Sequence, residues 1–141
     1  MKMLLLPLAF VVFLFATPPG LRAAPQSHEQ AGRAAAEEWL ALVDAGKFAE
    51  SWQKLDPAFG KKVGKRKWTS GLNAIRGPLG KLTLRTLKSA EYTKELSGAP
   101  EGEYVVVQFT AAFERKKEAT EKVTLILGRD LFWRVAGYSV K

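Results

Sequence analysis

Glu103–Arg115 reads EYVVVQFTAAFER, a segment in which apolar side chains recur at every second position. A period of two residues predicts a β-strand with one buried face. The buried face is expected to carry Val105, Val107, Phe109, Ala111 and Phe113. The opposite face carries Tyr104, Val106, Gln108, Thr110 and Ala112. This second, mixed row suits a solvated face, a pocket wall or a dimer surface.

Further strands are predicted on both sides of this segment. A run rich in Thr and Leu at Lys81–Lys94 precedes it, and the loop between them, ELSGAPEG at Glu95–Gly102, consists of turn-forming residues. Ala119–Leu127 follows it, and Gly128-Arg129-Asp130 forms a tight hairpin that leads into Leu131–Val140. Because the connections are short, an antiparallel meander of four strands is the simplest topology.

The chain before these strands has a helical period. Over Glu29–Ala45, apolar residues recur at the spacing of one helix face, and Gly46 is placed to end that helix. Two shorter helices are predicted to follow, the first ended by Asp56-Pro57 and the last spanning Lys65–Arg76, with a further helical turn between them. The three predicted stripes consist of Ala31, Ala35, Trp39 and Leu42 with Val43 beside them, of Phe48, Trp52 and Leu55, and of Trp68, Leu72 and Ile75.

Helices followed by strands, without alternation, predict an α+β fold. We expect about three N-terminal helices packed on one face of a curved four-stranded antiparallel sheet. The expected core consists of Trp39, Leu42, Trp52, Leu55, Trp68, Leu72, Val105, Val107, Phe109 and Val135. Residues 24–28 are expected to be a flexible leader, and residues 29–141 a single domain of this kind.

Residues 1–23 have the three-part organisation of a secretory signal peptide. Lys2 gives a positive start, Met3–Ala16 is almost wholly apolar, and small or neutral residues precede a cleavage site after Ala23. The apolar run, which Pro7 interrupts, is shorter than the roughly 20 residues that a membrane-spanning helix needs. We therefore expect a secreted or periplasmic protein that is soluble after cleavage and has no transmembrane segment in its mature chain.

Composition limits the chemistry and the partners of the mature chain. The sequence has no cysteine, which excludes a lipid anchor on an N-terminal cysteine, a thiol nucleophile and a cysteine-ligated metal. Removing Lys2 and Arg22 with the signal leaves 20 basic and 14 acidic residues, a net charge of +6. This basic balance favours anionic partners such as nucleic acid, lipopolysaccharide or acidic glycans, although a charge of this size is also common in small soluble domains.

The positive charge is most concentrated in GKKVGKRKW at Gly60–Trp68. Its spacing differs from that of a nucleotide phosphate loop, because three residues instead of four separate Gly60 from Gly64. What remains is a candidate anion-binding site at a helix N-terminus, made of Lys61, Lys62, Lys65, Arg66 and Lys67. A solvated helix face is the alternative interpretation. Nucleic acid is a less expected ligand, because Trp68 belongs to an apolar stripe and does not stand among the exposed cations.

Residue types that usually perform catalysis are scarce. His28 is the only histidine, and its position before the first predicted helix makes it a poor general base. We therefore expect no metal of the usual zinc or copper type and no cofactor. An acid–base site built from Asp56, Glu91 or Tyr138 is the remaining catalytic option, although Asp56 before Pro57 also fits a helix-ending turn.

Five phrases of the mature chain, taken together and in order, resemble one protein family. They are EEWLALVDAGKFAESW (Glu37–Trp52), IRGPLGKL (Ile75–Leu82), SAEYT (Ser89–Thr93), GAPEGEYVVVQF (Gly98–Phe109) and FWRVAGYSVK (Phe132–Lys141). The chain resembles the exported bacterial domain-of-unknown-function family 4019, a resemblance that covers essentially the whole mature chain and implies a secreted or periplasmic domain. It supplies no catalytic or binding residues. The order of elements is also similar to that of nuclear-transport-factor-2-like, cystatin-like cones, a likeness of fold that does not fix function.

Three functions remain open at this point. The first is a non-catalytic binding or interaction module, whose candidate sheet-face residues are Tyr104, Gln108, Arg134 and Tyr138. The second is a cone-pocket isomerase or hydrolase that uses a carboxylate and a tyrosine. The third is a binder of anionic envelope polymer or nucleic acid through the basic segment. Because a one-sided sheet leaves its other face open, we also expect a homodimer through that face.

Overall fold

The helices precede the strands in the computed structural model, which describes residue 20 and residues 24–141. The helices are α1 (His28–Asp44), α2 (Phe48–Gln53), α3 (Pro57–Val63) and α4 (Lys65–Arg76), and the strands are β1 (Leu82–Thr93), β2 (Tyr104–Phe113), β3 (Lys116–Leu127) and β4 (Trp133–Val140). The strands form one sheet in the order β1-β2-β3-β4, and every neighbouring pair is antiparallel. The predicted α+β class is confirmed, with one helix more than expected because α3 is a helix of its own.

The N-terminal part of the described chain begins with a capped helix. Ser27 Oγ accepts a hydrogen bond from Gln30 N at 3.1 Å, and Gln30 Oε1 accepts one from Ser27 N at 3.0 Å. This capping box satisfies two N–H groups at the helix start and places that start at His28, one residue earlier than predicted. The predicted signal peptide lies, apart from Gly20, outside the described residues. No helix within residues 24–141 is both long enough and apolar enough to span a membrane.

The buried face of α1 differs from the predicted stripe. It consists of Gly32, Ala36, Trp39, Leu40 and Val43, so most of the predicted stripe is one residue out of phase, and only Trp39 and the adjacent Val43 are common to both. Gly32 explains the difference, because a Cβ at this position would lie 2.6 Å from the Cβ of Val105. The glycine therefore lets α1 pack closely on β2, and Ala31, Ala35 and Leu42 are turned toward its flank.

The junction between α2 and α3 attaches the helices to the edge strand β4. Leu55 forms an isolated parallel bridge with Val135, and Asp56 N donates a hydrogen bond to Val135 O at 2.8 Å. Asp56 also caps α3, because its Oδ2 accepts a hydrogen bond from Phe59 N at 3.1 Å, and Pro57 occupies the first helical turn. Asp56 therefore has a structural role, as expected, but it starts α3 and does not end α2, which ends at Gln53.

A bulge in β4 decides which of its side chains face the helices. Thr124 pairs with Gly137 while Leu125 pairs with Val135, so Ala136 is an extra residue in β4. An extra residue reverses the alternation of the strand beyond it. Tyr138, opposite Val123, therefore faces the helices, whereas Arg134, opposite Ile126, lies on the open face. Placing Tyr138 on the same face as Arg134 was wrong for this reason.

Apolar side chains between the helices and the sheet form the main core. Its buried members are Ala36, Trp39, Leu40, Val43, Leu55, Leu72, Val105, Val107, Phe109, Val123, Leu125 and Val135. Seven of the ten predicted core residues belong to this set, and Trp52 and Trp68 pack against it while half-buried. Leu42 is the exception, because the close approach at Gly32 turns it away from the core toward a surface groove. Ala111, Phe113 and Ala119 form a second, smaller cluster.

Truncating Trp39 tests the position of α1. Its side chain is 3% exposed, and its Nε1 donates a hydrogen bond to Ser51 O at 3.1 Å. We expect Trp39→Ala to lower the free energy of unfolding by about 3–5 kcal/mol, measured by urea denaturation. Phe132→Ala is the matched control, since Phe132 is 66% exposed and its truncation should change that free energy by less than about 0.5 kcal/mol. An unchanged midpoint for Trp39→Ala would refute the packing of this face.

Candidate functional site

Five polar side chains meet on the helix-facing side of the sheet and form what we term the charge cluster. Its members are Asp44 at the end of α1, Arg76 at the end of α4, Arg85 on β1, Glu121 on β3 and Tyr138 on β4. Glu121 is fully buried and Arg76 is 7% exposed. Buried charges are rare in proteins unless they are paired, so the partners of these groups decide what the cluster does.

Arg85 holds the two carboxylates together. Its Nε lies 2.6 Å from Glu121 Oε1, and its Nη1 and Nη2 lie 2.7 and 2.9 Å from the two oxygens of Asp44. This bidentate contact with Asp44 is among the strongest geometries of an arginine–carboxylate pair. Burial raises the pKa of Asp44, but the hydrogen bonds and charges of Arg85 and Arg76 outweigh it and hold that pKa below its ordinary value.

Arg76 and Tyr138 close the other side of the cluster. Arg76 Nη2 donates to Asp44 Oδ1 at 2.9 Å, and the guanidinium lies 4.9 Å from the centre of the Phe113 ring. Tyr138 donates its hydroxyl proton to Glu121 Oε2 at 2.5 Å. Burial, together with the charge and the hydrogen bond of Glu121, raises the pKa of Tyr138 well above its ordinary value. Tyr138 therefore serves Glu121 as a neutral donor.

The charge cluster is electrically balanced, with two carboxylates and two guanidinium groups. Both oxygens of Glu121 are engaged, by Arg85 and by Tyr138. Among the described residues, Arg76 Nε is the single buried side-chain nitrogen or oxygen that lacks a hydrogen-bond partner. This arrangement orients five elements of the fold and leaves no carboxylate of the cluster prepared to accept a proton from a substrate.

Sequence reasoning missed four members of this cluster, although two of them leave a readable signal. Glu121 has the same strand parity as Ala119, Val123 and Leu125, which places a carboxylate in a buried row. Arg76 follows Leu72 by four residues and so continues the apolar stripe of α4. A charged residue on a buried face requires a buried partner, but the pattern does not identify that partner.

A groove between α1 and the start of β4 forms a concave site with a volume of about 510 Å³. We term it the α1–β4 groove. Its apolar lining includes Trp39, Leu42, Phe132, Trp133 and Val135. Its polar lining comprises Glu38, Gln53, Lys54 and Arg134. Such a combination of aromatic walls and a few polar groups is typical of small-molecule sites.

The hairpin between β3 and β4 borders this groove and is held firmly. Gly128 N donates to Phe132 O and Leu131 N donates to Gly128 O, both at 2.9 Å. Asp130 accepts two hydrogen bonds from Arg134, at 2.9 and 2.6 Å, and these bonds lower the pKa of Asp130 to about 2. The turn extends through Phe132, so the prediction that β4 starts at Leu131 was wrong by two residues.

Leu131 and Phe132 are exposed despite this ordered setting. Leu131 is 77% exposed and Phe132 is 66% exposed. Leu131 also has a φ of 67°, the single positive value for a residue other than glycine in the described chain. The sequence contained no signal for this backbone conformation at Leu131, since Gly128 and Asp130 in the same turn are residue types that adopt a positive φ more readily.

The predicted basic segment lies across the junction between α3 and α4. Lys61 and Lys62 lie in the last turn of α3, and Lys65, Arg66 and Lys67 in the first turn of α4. All five side chains are exposed. Within residues 24–141, no ion pair involves any of them. Gly64, which joins the two helices with a φ of 81°, provides no side-chain cap for α4.

The candidate sheet-face residues are only partly brought together. Tyr104 and Arg134 both pair with Ile126 from opposite sides and share one row of the open face. Tyr104 is nevertheless 2% exposed, because its hydroxyl donates to Pro100 O at 2.6 Å and the β1–β2 loop covers it. Gln108 lies in another row, beside Ser89 and Lys122. The homodimer through this face stays a prediction. Fewer exposed aromatic side chains support it than expected, because Tyr104 is buried and Tyr138 faces the helices.

The candidate acid–base residues lie in three separate places. Asp56 caps α3, Glu91 is exposed on the open face of β1, and Tyr138 is inside the charge cluster. His28 stacks on Tyr92 with their ring centres 4.5 Å apart, and Tyr92 donates its hydroxyl to Glu103 at 2.5 Å, which raises the pKa of Tyr92. In the part of the chain that the structure describes, no three His, Asp or Glu residues are placed to hold a metal ion.

A family model described as "Protein of unknown function (DUF4019)" matches residues 35–138. This range includes most of α1, the three other helices and nearly all of the sheet. No curated protein matches the chain.

Removing the buried carboxylate tests the charge cluster. We expect Glu121→Leu to lower the free energy of unfolding by about 3–5 kcal/mol, because two guanidinium groups then share one carboxylate in a buried site. Glu37→Leu is the matched control, since it breaks the exposed Arg33–Glu37 pair and should cost less than about 1 kcal/mol. Urea denaturation measures both variants, and equal costs would contradict the balance argued for the cluster.

The lowered pKa of Asp44 predicts a specific acid sensitivity. A carboxyl group whose pKa is lower in the folded state than in the unfolded state stabilises the fold at a pH above its ordinary pKa of 3.8. This stabilisation is lost as the pH falls through the pKa of the folded state. We expect the free energy of unfolding to fall less steeply between about pH 5 and pH 2 in Asp44→Asn than in the unaltered protein. Glu50→Gln, which removes an exposed carboxylate, should keep the original slope. Identical slopes in all three proteins would count against the pairing of Asp44.

Proposed function

The chain belongs to the DUF4019 family of proteins of unknown function, and from that premise we propose that it is a secreted or periplasmic, non-catalytic binding module. Its ligand site is the α1–β4 groove. The signal-like residues 1–23 support export. The observation that carries the binding function is the hairpin tip, where an ordered backbone holds two large apolar side chains in solvent beside the groove.

The conformation of Leu131 works against stability. A left-handed backbone costs a residue with a Cβ roughly 1–2 kcal/mol relative to its preferred conformation. Packing does not offset that cost, because the side chain is 77% exposed. Backbone strain of this kind is concentrated at binding and catalytic sites in proteins. We infer that Leu131 and Phe132 are held outward because they contact a bound molecule.

The lining of the groove indicates what that molecule is. Trp133 and Phe132 offer flat apolar surfaces, whereas Glu38, Lys54 and Arg134 place both signs of charge around them. A volume of about 510 Å³ lies within the range of small-molecule sites. We propose a compact ligand with one apolar face and several hydrogen-bonding groups, because a strongly charged ligand would meet a like charge on one side of the rim.

The charge cluster supports a role without catalysis. A cone-pocket isomerase or hydrolase needs a carboxyl group with a shifted pKa that faces an open cavity. Glu121 is the fully buried carboxylate, and Arg85 and Tyr138 engage both of its oxygens. The acid that lines the α1–β4 groove, Glu38, is exposed. These contacts favour the binding module over the enzyme.

Substitutions at the hairpin tip test this function. The probe is N-phenyl-1-naphthylamine, a neutral apolar dye whose fluorescence rises on transfer from water into an apolar site. We expect Phe132→Ala to weaken its binding at least about tenfold, a loss of about 1.4 kcal/mol. We expect Leu131→Gly to weaken binding as well, while raising the free energy of unfolding by up to about 1 kcal/mol because glycine relieves the backbone strain.

Leu84→Ala is the control for these measurements, because Leu84 is 64% exposed and lies on the open face of the sheet. It should bind the dye as the unaltered protein does. Equal dye binding by Phe132→Ala and the unaltered protein would show that the groove is not the site. A lower free energy of unfolding in Leu131→Gly would show that the Leu131 side chain stabilises the fold, contrary to the proposal.

A further inference from the structure

A second concave site lies between α4 and β4 and shares no lining residue with the α1–β4 groove. We term it the α4–β4 crevice. Its volume is about 250 Å³, and its apolar lining comprises Val63, Trp68, Leu72 and Ile75. Tyr138 lines it as well, with its hydroxyl turned to the charge cluster, and Lys67 is its charged residue. The crevice is thus mainly apolar, with its one cation contributed by the basic segment.

Gly71 keeps this crevice open. The residue lies in the middle of α4, where glycine is about 1 kcal/mol less favourable than alanine. Close packing does not require it, because a Cβ at Gly71 would meet no atom within 4 Å among the described residues. Its φ also lies in the ordinary range of residues with side chains, since it is absent from the positive values. The effect of the glycine is that no side chain enters the crevice.

The basic segment determines which ligand charge this site favours. Five exposed cations lie within seven residues, and Lys67 belongs both to this segment and to the crevice lining. No ion pair among the residues of the described chain neutralises them. The first-turn N–H groups of α4 add to the positive potential, because Gly64, the N-cap residue, has no side chain that could accept hydrogen bonds from them. A bound molecule that reaches Lys67 is therefore favoured if it is anionic.

We infer that the α4–β4 crevice and the basic segment together bind an anionic amphiphile: one alkyl chain in the crevice and a negatively charged headgroup on Lys61–Lys67. The two parts explain each other. A cluster of cations by itself would bind any polyanion, and an apolar crevice by itself would bind any neutral hydrocarbon. Because Lys67 belongs to both surfaces, one ligand with an apolar chain and an anionic group can contact both of them. A fatty-acid carboxylate and a lipid phosphate share this chemistry, and the headgroup distinguishes them.

Titration calorimetry with dodecyl phosphate, kept below its micelle concentration, tests this inference. We expect saturable binding at least tenfold tighter than that of inorganic phosphate or of the neutral dodecyl maltoside. Dodecanoate serves as a second ligand, and the tighter of the two anions identifies the headgroup. Affinity should also fall as salt is added, because the headgroup is held by exposed charges.

Two variants assign the binding to this site. Gly71→Leu should fill the crevice and weaken dodecyl phosphate at least tenfold, while the free energy of unfolding stays equal or rises because leucine is the better helix former. Ala74→Leu is its matched control, since Ala74 is exposed on α4 and outside the crevice lining, and it should bind normally. Replacing Lys65, Arg66 and Lys67 together by Gln should weaken binding and flatten its salt dependence.

Four results would overturn the inference. Unchanged binding by Gly71→Leu would place the alkyl chain elsewhere. Equal affinity for dodecyl maltoside would remove the role of the cations. Equal affinity for inorganic phosphate, or tighter binding of a single-stranded oligonucleotide that Gly71→Leu leaves unaffected, would identify the basic segment as a polyanion surface without the crevice.

Discussion

The contact between Arg85 and Glu121 is the constraint on which the sheet and the helices both depend. The two residues lie on β1 and β3, so the guanidinium reaches across β2, where the residue opposite Arg85 is the small Ala111. Burying Glu121 completely requires such a partner, because an unpaired buried carboxylate is far costlier than a paired one. Asp44 then pairs with the same guanidinium and fixes the end of α1 over the sheet. The pairing of one buried carboxylate thus links the position of α1 to the contact between β1 and β3.

The bulge at Ala136 connects this constraint to the surface sites. Because it reverses the alternation of β4, Tyr138 turns inward to donate to Glu121, while Arg134 turns outward to pair with Asp130. The inward tyrosine completes the charge cluster and lines the α4–β4 crevice, and the outward arginine stiffens the hairpin beside the α1–β4 groove. A single inserted residue therefore influences both concave sites.

Sequence reasoning succeeded where one local pattern decides the structure. The alternation from Tyr104 to Phe113 predicted β2 and its buried face, and the predicted bounds of the last helix, Lys65–Arg76, agree with α4. It failed where a distant contact overrides the pattern. Gly32 carries no apolar signal, yet its close approach to β2 sets the face of α1, and the bulge that reorients Tyr138 follows from pairing with β3. Of the candidate sites, the basic segment could be recognised because its five charges lie within seven residues of sequence, whereas both concave sites are assembled from elements far apart in the chain.

Two residues, Leu131 and Gly71, are unfavourable for stability at their positions. Leu131 has a side chain where glycine would be less strained, and Gly71 lacks a side chain where most residues would stabilise the helix. Leu131 occupies a left-handed backbone position that glycine would occupy without strain. Gly71 occupies a helical position with open space around it, where almost any other residue except proline would be more favourable. Neither the core nor the charge cluster gains from these choices. Each of them acts on one concave site, because Leu131 adds an exposed apolar side chain beside the α1–β4 groove and Gly71 keeps a side chain out of the α4–β4 crevice. These local costs, which bring the fold no benefit, are the basis on which we propose a ligand for each of the two sites.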